Sequence, residues 1–124
     1  MKFYCHPTCT TCKKAQKWLE KQNIAYEFIN LKETAPAKEE LIKLMTHSNR
    51  PLKQFFNTSG QLYREYELKD KVSDMSIEAA AELLSENGML IKRPLAIKQD
   101  KCTIGFKENE YEEVWISGEK ENTK

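Results

Sequence analysis

The stretch KFYCHPTCTTCKK, residues 2–14, decides the fold. Residues Lys2 to Cys5 form a short apolar and aromatic run, and His6-Pro7-Thr8 interrupts it with residues that favour a loop. From Thr10 the pattern becomes helical, because apolar side chains recur three and four residues apart with lysines between them. The stretch therefore predicts a buried strand, a loop and a helix, in that order.

The rest of the chain extends this opening into an α/β domain. Residues 24–31 predict a second strand, which a right-handed crossover places parallel to the first. A helical insertion is expected at about 35–88, with Ser76 as an N-cap and Asn87-Gly88 as a helix stop. Residues 95–97 and 101–104 predict an antiparallel hairpin, and a final helix follows. The prediction is a four-stranded mixed sheet with helices on both faces, in one domain over residues 1–116 with a flexible tail at 117–124.

Composition limits the classes of function. The chain has 124 residues, of which 31% are charged, and a net charge of +1. This balance excludes a protein that binds nucleic acid through a strongly basic surface. No apolar run approaches the roughly 20 residues of a membrane span, and the N-terminal sequence reaches polar residues too soon for a signal peptide. We therefore expect a monomeric cytoplasmic protein that binds neither a membrane nor, directly, nucleic acid.

Cys9 and Cys12 form a Cys-x-x-Cys motif where the first helix begins. Such a motif after the first strand of a βαβ unit is typical of thiol–disulfide chemistry. The unpaired N–H groups and the dipole of a helix N-terminus favour a thiolate at Cys9, and the thiolate is the reactive form of cysteine. Cys12 lies one turn later, within bonding reach. We therefore predict that Cys9 attacks and that Cys12 resolves the mixed disulfide.

Other interpretations of the cysteine cluster remain open. The motif can be an inert buried pair, or Cys5, His6, Cys9 and Cys12 can bind a structural zinc ion, although one short segment would then supply all four ligands. The Cys-x3-Cys-x2-Cys spacing also matches the iron–sulfur ligands of radical SAM enzymes, for which the chain is too short. Cys5 belongs to an apolar strand, where a thiol is usually packed, and Cys102 is expected in the core of a later strand.

Arg93 and Pro94 directly precede the predicted strand at 95–97. In a thioredoxin-type layout this loop faces the Cys-x-x-Cys motif, and its proline is cis. Arg93 then points toward Cys9, where a guanidinium stabilises a thiolate and binds an oxyanion or a carboxylate through two hydrogen bonds. The alternative is a surface arginine at the start of a strand.

The sequence resembles the arsenate reductase (ArsC)/Spx/MgsR-like family of thioredoxin-fold proteins from about residue 2 to residue 115. The resemblance is carried by CTTCKKA at 9–15, NTSG at 57–60, GMLIKRPL at 88–95 and IGF at 104–106. It implies a glutaredoxin-like core with a helical insertion, Cys9 as the nucleophile and Arg93 as an active-site cation. Thr10, Thr11 and Pro94 are then expected to contact substrate beside Arg93. No bound metal or cofactor is implied, because an external thiol system such as glutathione/glutaredoxin or thioredoxin supplies electrons.

Departures from the family pattern shape the expected function. Arsenate reductases of this type bind the oxyanion with three arginines, of which only Arg93 is present; Asn57 and the pair Phe106-Lys107 stand where the others are expected. Cys12 instead indicates a reversible intramolecular disulfide, as in the Spx-like branch. The sequence therefore predicts a thiol–disulfide oxidoreductase acting on a thiol, a disulfide or an oxyanion. The alternative is a redox-sensing regulator that binds the C-terminal domain of the RNA polymerase α subunit.

Overall fold

The computed structural model describes residues 1–48, 50–99 and 101–117. Its strands are β1 (Lys2–Cys5), β2 (Glu27–Asn30), β3 (Leu95–Lys98) and β4 (Lys101–Ile104). Its helices are α1 (Thr10–Lys21), α2 (Lys38–Ser48), α3 (Gln61–Glu65), α4 (Ile77–Glu86) and α5 (Glu108–Tyr111), and α5 continues as a π-helix over Glu112–Ser117. Short 3₁₀ turns occupy Leu52–Phe55, Leu68–Asp70, Val72–Asp74 and Gly88–Leu90.

Two expectations from the sequence concern the C-terminal tail and the absence of a membrane span. The tail expected at 117–124 lies, apart from Ser117, outside the described residues. Within the described ranges, none of the helices is long and apolar enough to cross a membrane.

The four strands form one mixed sheet in the order β2-β1-β3-β4. β1 pairs in parallel with β2, with Phe3 opposite Phe28, and antiparallel with β3, with Tyr4 opposite Leu95. β3 and β4 form the expected antiparallel hairpin. β1 is therefore an interior strand, and its C-terminal end at Cys5 leads directly into the loop before α1. The predicted mixed sheet is confirmed.

Helices cover both faces of the sheet. Because side chains alternate along a strand, Phe3 and Cys5 point to one face of β1 and Tyr4 to the other. The first face packs against α1 and the C-terminal helix, and its buried cluster includes Leu19 and Tyr111. The second face packs against α2 and α4 in a larger cluster of buried side chains, among them Leu41, Leu44, Phe55, Phe56, Ala80, Leu84, Leu95 and Ile104.

The helix ends follow local sequence signals. Ser76 is the N-cap of α4, because its side chain accepts a hydrogen bond from the Ala79 N–H at 3.1 Å, as predicted. β2 begins three residues later than expected. The chain leaves α1 through Asn23, whose φ of 59° lies in the left-handed region, and the Ile24 N–H donates to the Leu19 carbonyl. Ile24 therefore closes the end of the helix and does not extend the strand.

Candidate active site

Cys9 occupies the N-cap position of α1 at the C-terminal end of β1. The loop from Cys5 is tight, because the Cys9 N–H donates to the His6 carbonyl at 3.1 Å and the Lys13 N–H donates to the Cys9 carbonyl. His6 Nδ1 is 2.7 Å from Thr8 Oγ1, so the imidazole is engaged within the loop. The Cys9 thiol is free and partly exposed, and it makes no capping hydrogen bond. A free thiol thus stands at the N-terminus of a 12-residue helix.

The two threonines and Cys12 divide the first turn of α1 into an exposed and a buried part. Thr10 and Thr11 are exposed, whereas Cys12 is 1% exposed. Cys12 belongs to the cluster of α1 side chains that pack on the sheet. One helical turn separates Cys9 from Cys12, which is the spacing at which neighbouring side chains meet on a helix.

The structure contains a disulfide between Cys5 and Cys12. The bond expected from the sequence joined Cys9 to Cys12, and that bond is not the one present here. The physical reason is the geometry of β1, because Cys5 is its last residue and points to the face that α1 covers. The alternation Phe3–Cys5 in the sequence indicates that these two side chains share a face of β1, but it does not indicate that α1 covers that face.

Arg93 and Pro94 lie at the same end of the sheet as Cys5. The antiparallel register places Leu95 opposite Tyr4, so the two residues before Leu95 adjoin the end of β1. The Arg93–Pro94 peptide bond is cis, as expected of a thioredoxin-type layout, and Pro94 is buried. The Arg93 side chain is partly buried, and its Nη1 donates to Met89 Sδ at 3.6 Å. The fold therefore assembles Cys9, Cys12, Arg93 and Pro94 at one end of the sheet.

Backbone hydrogen bonds hold the Arg93 loop to the helical insertion. The Asn57 N–H donates to the Leu90 carbonyl at 2.6 Å, and the Lys92 N–H donates to the Phe55 carbonyl at 3.0 Å. Phe56 and Ile91 form an isolated antiparallel bridge between them. These bonds fix the segment that leads to Arg93, so the insertion acts as a support for the loop.

Gly88 packs directly against the backbone of Leu31. Gly88→Ala is therefore expected to lower the free energy of unfolding by about 1–3 kcal/mol. A methyl group at this position would overlap the backbone carbonyl oxygen of Leu31, which cannot rotate away. Urea unfolding followed by circular dichroism measures the loss. Gly60→Ala is the matched control, because the nearest atom there is the movable side-chain amide of Asn57. Equal stability of the Gly88 and Gly60 variants would contradict this packing argument.

Several basic side chains lie near the segment that follows Pro94. The Gly105 N–H donates to the Pro94 carbonyl at 2.9 Å, which ties the end of β4 to the Arg93 loop. A cavity of about 200 Å³ lies close by, lined by Arg50, Gln54, Lys92, Ile104, Lys107 and Glu110. Arg50 pairs with Glu110 at 3.1 Å. No sequence motif singled out Arg50, because its partner lies sixty residues away along the chain.

Cys102 is separated from this site. It is opposite Ile97, which is opposite Lys2, so it lies near the start of β1 and not near its end at Cys5. Burial raises the pKa of the Cys102 thiol, which disfavours its reactive thiolate. Cys102 is partly buried rather than fully packed, and it lines a separate cavity of about 370 Å³.

The structure does not provide the zinc site considered from the sequence. In the described ranges 1–48, 50–99 and 101–117, no three His, Cys, Asp or Glu side chains converge as metal ligands. Two of the four proposed ligands, Cys5 and Cys12, are bonded to each other.

Comparison with known proteins decides the family. The model of the ArsC family matches residues 4–114, which is most of the chain. The chain belongs to the ArsC family. Among similar proteins is the uncharacterized protein YusI of Bacillus subtilis, which is 50% identical over 113 residues, or 91% of this chain and 96% of YusI. The global transcriptional regulator Spx of Streptococcus agalactiae is 31% identical over 108 residues, or 87% of this chain and 77% of Spx.

Solved structures of ArsC-like proteins agree with the fold. A crystal structure from Streptococcus mutans, described as a possible arsenate reductase, superposes with a TM-score of 0.82 at 43% identity, covering 86% of this chain and 90% of that one. The α/β, thioredoxin-like architecture and the family resemblance predicted from the motifs are therefore confirmed.

Proposed function

We propose that this ArsC-family chain is a thiol–disulfide oxidoreductase in which Cys9 attacks and Cys12 resolves. The observation that carries the proposal is the free thiol of the partly exposed Cys9 at the start of α1. It stands one helical turn before Cys12, which is buried. The first N–H groups of a helix have no partner within the helix, and the dipole is positive at this end. The sulfur that we assign as the nucleophile therefore lies at the positive end of the helix, on a partly exposed residue.

The reaction proceeds by thiol–disulfide exchange. The Cys9 thiolate attacks one sulfur of a substrate disulfide, which forms a Cys9 mixed disulfide and releases the other half as a thiolate. The Cys12 sulfur then attacks Cys9 and releases the second half. An external dithiol or glutathione system reduces the protein again. Cys12 performs only the intramolecular step, since its burial keeps external disulfides away.

We propose that Arg93 binds an anionic group on the substrate. Arg93 is partly exposed at the same end of the sheet as Cys9, and its Nη1 donates a hydrogen bond to the sulfur of Met89. A carboxylate or an oxyanion is a stronger acceptor for a guanidinium than a thioether, because the hydrogen bonds are then charge-assisted. Thr10 and Thr11, exposed beside Cys9, complete the proposed contact surface.

Trapping the mixed disulfide tests the proposal. In Cys12→Ser, the complex formed with bis(hydroxyethyl) disulfide is expected to accumulate, because Cys12 can no longer displace the substrate half from Cys9. Intact-mass spectrometry should show the addition of one hydroxyethylthio group, and peptide fragmentation should locate it at Cys9. Cys102→Ser serves as the matched control and should not retain the group. An adduct at Cys102, or none at all, would count against Cys9 as the nucleophile.

A second function is supported by the similarity to the regulator Spx. Under this proposal the chain senses oxidants through its cysteines and binds the C-terminal domain of the RNA polymerase α subunit. A pull-down with that purified domain should then retain more of the oxidised than of the reduced protein, and Cys12→Ser should remove the difference. Disulfide turnover without binding in either redox state would leave the oxidoreductase as the function.

A further inference from the structure

Cys12 has two cysteine neighbours, and they differ in exposure. Cys9 stands one helical turn before it and is partly exposed. Cys5 is fully buried at the end of β1, bonded to Cys12, with a Cα–Cα separation of 6.1 Å that lies within the usual range for disulfides. In space, the three cysteines therefore form a series that runs from the surface inward, with Cys12 between Cys9 and Cys5.

We propose that Cys5 is a third redox cysteine, which takes over the disulfide from Cys9–Cys12 and stores it as the buried Cys5–Cys12 bond. This inference rests on the proposed oxidoreductase function. It assigns a redox role to a residue that sequence reasoning placed among ordinary packed side chains. Its consequence is that the oxidised protein again presents Cys9 as a free thiol.

The transfer balances as one further exchange step. The first two steps leave a Cys9–Cys12 disulfide and two released substrate thiols. The Cys5 sulfur then attacks Cys12, and the Cys9–Cys12 bond breaks as the Cys5–Cys12 bond forms. The proton that Cys5 loses ends on the departing Cys9 sulfur, so Cys9 is released as a free thiol. Two electrons in total pass from the protein to the substrate disulfide, and no other oxidant is needed.

The surroundings of the three sulfurs favour this direction. Cys5 and Cys12 lie in an apolar cluster with Phe3, Ala96 and Tyr111, all of which are fully buried. A neutral disulfide is tolerated in such a place, whereas a thiolate loses its hydration. Cys9, in contrast, is partly exposed at the N-terminus of α1, so a sulfur released there regains contact with solvent. The exchange therefore moves the disulfide into the apolar cluster and returns the released thiol to the exposed end of the helix.

Differential labelling of the wild-type protein tests the transfer without a variant. Fully reduced protein is oxidised with bis(hydroxyethyl) disulfide, its free thiols are blocked with iodoacetamide under denaturing conditions, and its disulfides are then reduced and labelled with N-ethylmaleimide. Trypsin cleaves after Lys2 and Lys13, so all three cysteines lie on one peptide, and fragment ions between them report which label each carries. We expect iodoacetamide label on Cys9 and N-ethylmaleimide on Cys5 and Cys12. An end product with Cys5 blocked and Cys9 joined to Cys12 would overturn the inference and leave the proposed function intact.

Two variants separate a transferred bond from one that forms by itself. In Cys9→Ser, formation of the Cys5–Cys12 bond should slow by at least about tenfold, because the exposed thiol that starts the transfer is absent. An unchanged rate would overturn the inference by making the bond independent of Cys9. In Cys5→Ala, oxidation should stop at Cys9–Cys12, so that Cys9 is protected from iodoacetamide; continued labelling of Cys9 with turnover retained would also overturn it. Loss of the proposed function itself would appear differently, as wild-type protein that forms no mixed disulfide and reduces no substrate.

Discussion

Cys9→Ser is expected to reduce disulfide turnover by at least about 1,000-fold. A serine hydroxyl stays protonated at neutral pH, so the helix N-terminus has no anion to stabilise and the substrate disulfide meets no nucleophile. The change is nearly isosteric, and Cys9 is only partly buried, so we expect the fold to be retained. The loss should therefore appear in turnover and not in thermal stability.

Cys102→Ser provides the matched control, because it makes the same chemical change at the other end of β1. Its turnover should stay within about twofold of the wild type, since Cys102 lies away from the site and burial raises the pKa of its thiol. Coupled assays with the thioredoxin and the glutathione/glutaredoxin systems, each with and without arsenate, measure both variants and identify the electron donor and substrate. Turnover that survives Cys9→Ser, or that disappears in Cys102→Ser, would exclude the assigned nucleophile.

Tyr111→Ala is expected to cost about 3–5 kcal/mol in the free energy of unfolding. The ring is fully buried and meets Trp18 of α1 edge-on, with centroids 5.4 Å apart, and Phe106 at 4.8 Å. Burial also raises the pKa of its hydroxyl to about 12, as expected where water is excluded. The ring therefore joins the C-terminal helix to the helix that carries Cys9 and Cys12, and its removal leaves a large cavity.

Tyr66→Ala is the control for this loss, because the Tyr66 side chain is 41% exposed. Its unfolding free energy should change by no more than about 0.5 kcal/mol. Urea unfolding of the two variants, followed by circular dichroism, gives the comparison. Similar stabilities would show that the aromatic cluster around Tyr111 contributes much less than its burial indicates.

Local patterns in the sequence were enough to predict most elements of this fold. The spacing of Ala15, Trp18 and Leu19 gave α1 its buried face, and all three are buried in the structure. Ser76 marked the start of α4 through the ordinary hydrogen bond of an N-cap. Such signals depend on residues within one or two turns of each other, which is why they can be interpreted without the tertiary structure.

Contacts between distant segments could not be predicted in the same way. The Cys5–Cys12 bond depends on which face of β1 the helix α1 covers, and the sequence alone did not specify that face. Gly88 approaches the Leu31 carbonyl only when the insertion folds back on the sheet. The same holds for the pairing of Arg50 with Glu110. The assignment of Cys9, Cys12 and Arg93 to one site was possible because a family resemblance supplied the long-range arrangement.

The interior position of β1 has a consequence for synthesis of the chain. β1 leaves the ribosome well before its antiparallel partner, Leu95–Lys98. Pairings across so much sequence form late, because a long loop must close before they contribute. The three clustered cysteines therefore emerge before β1 has its antiparallel partner, and the face of β1 that buries Cys5 is completed only after β3 has been synthesised.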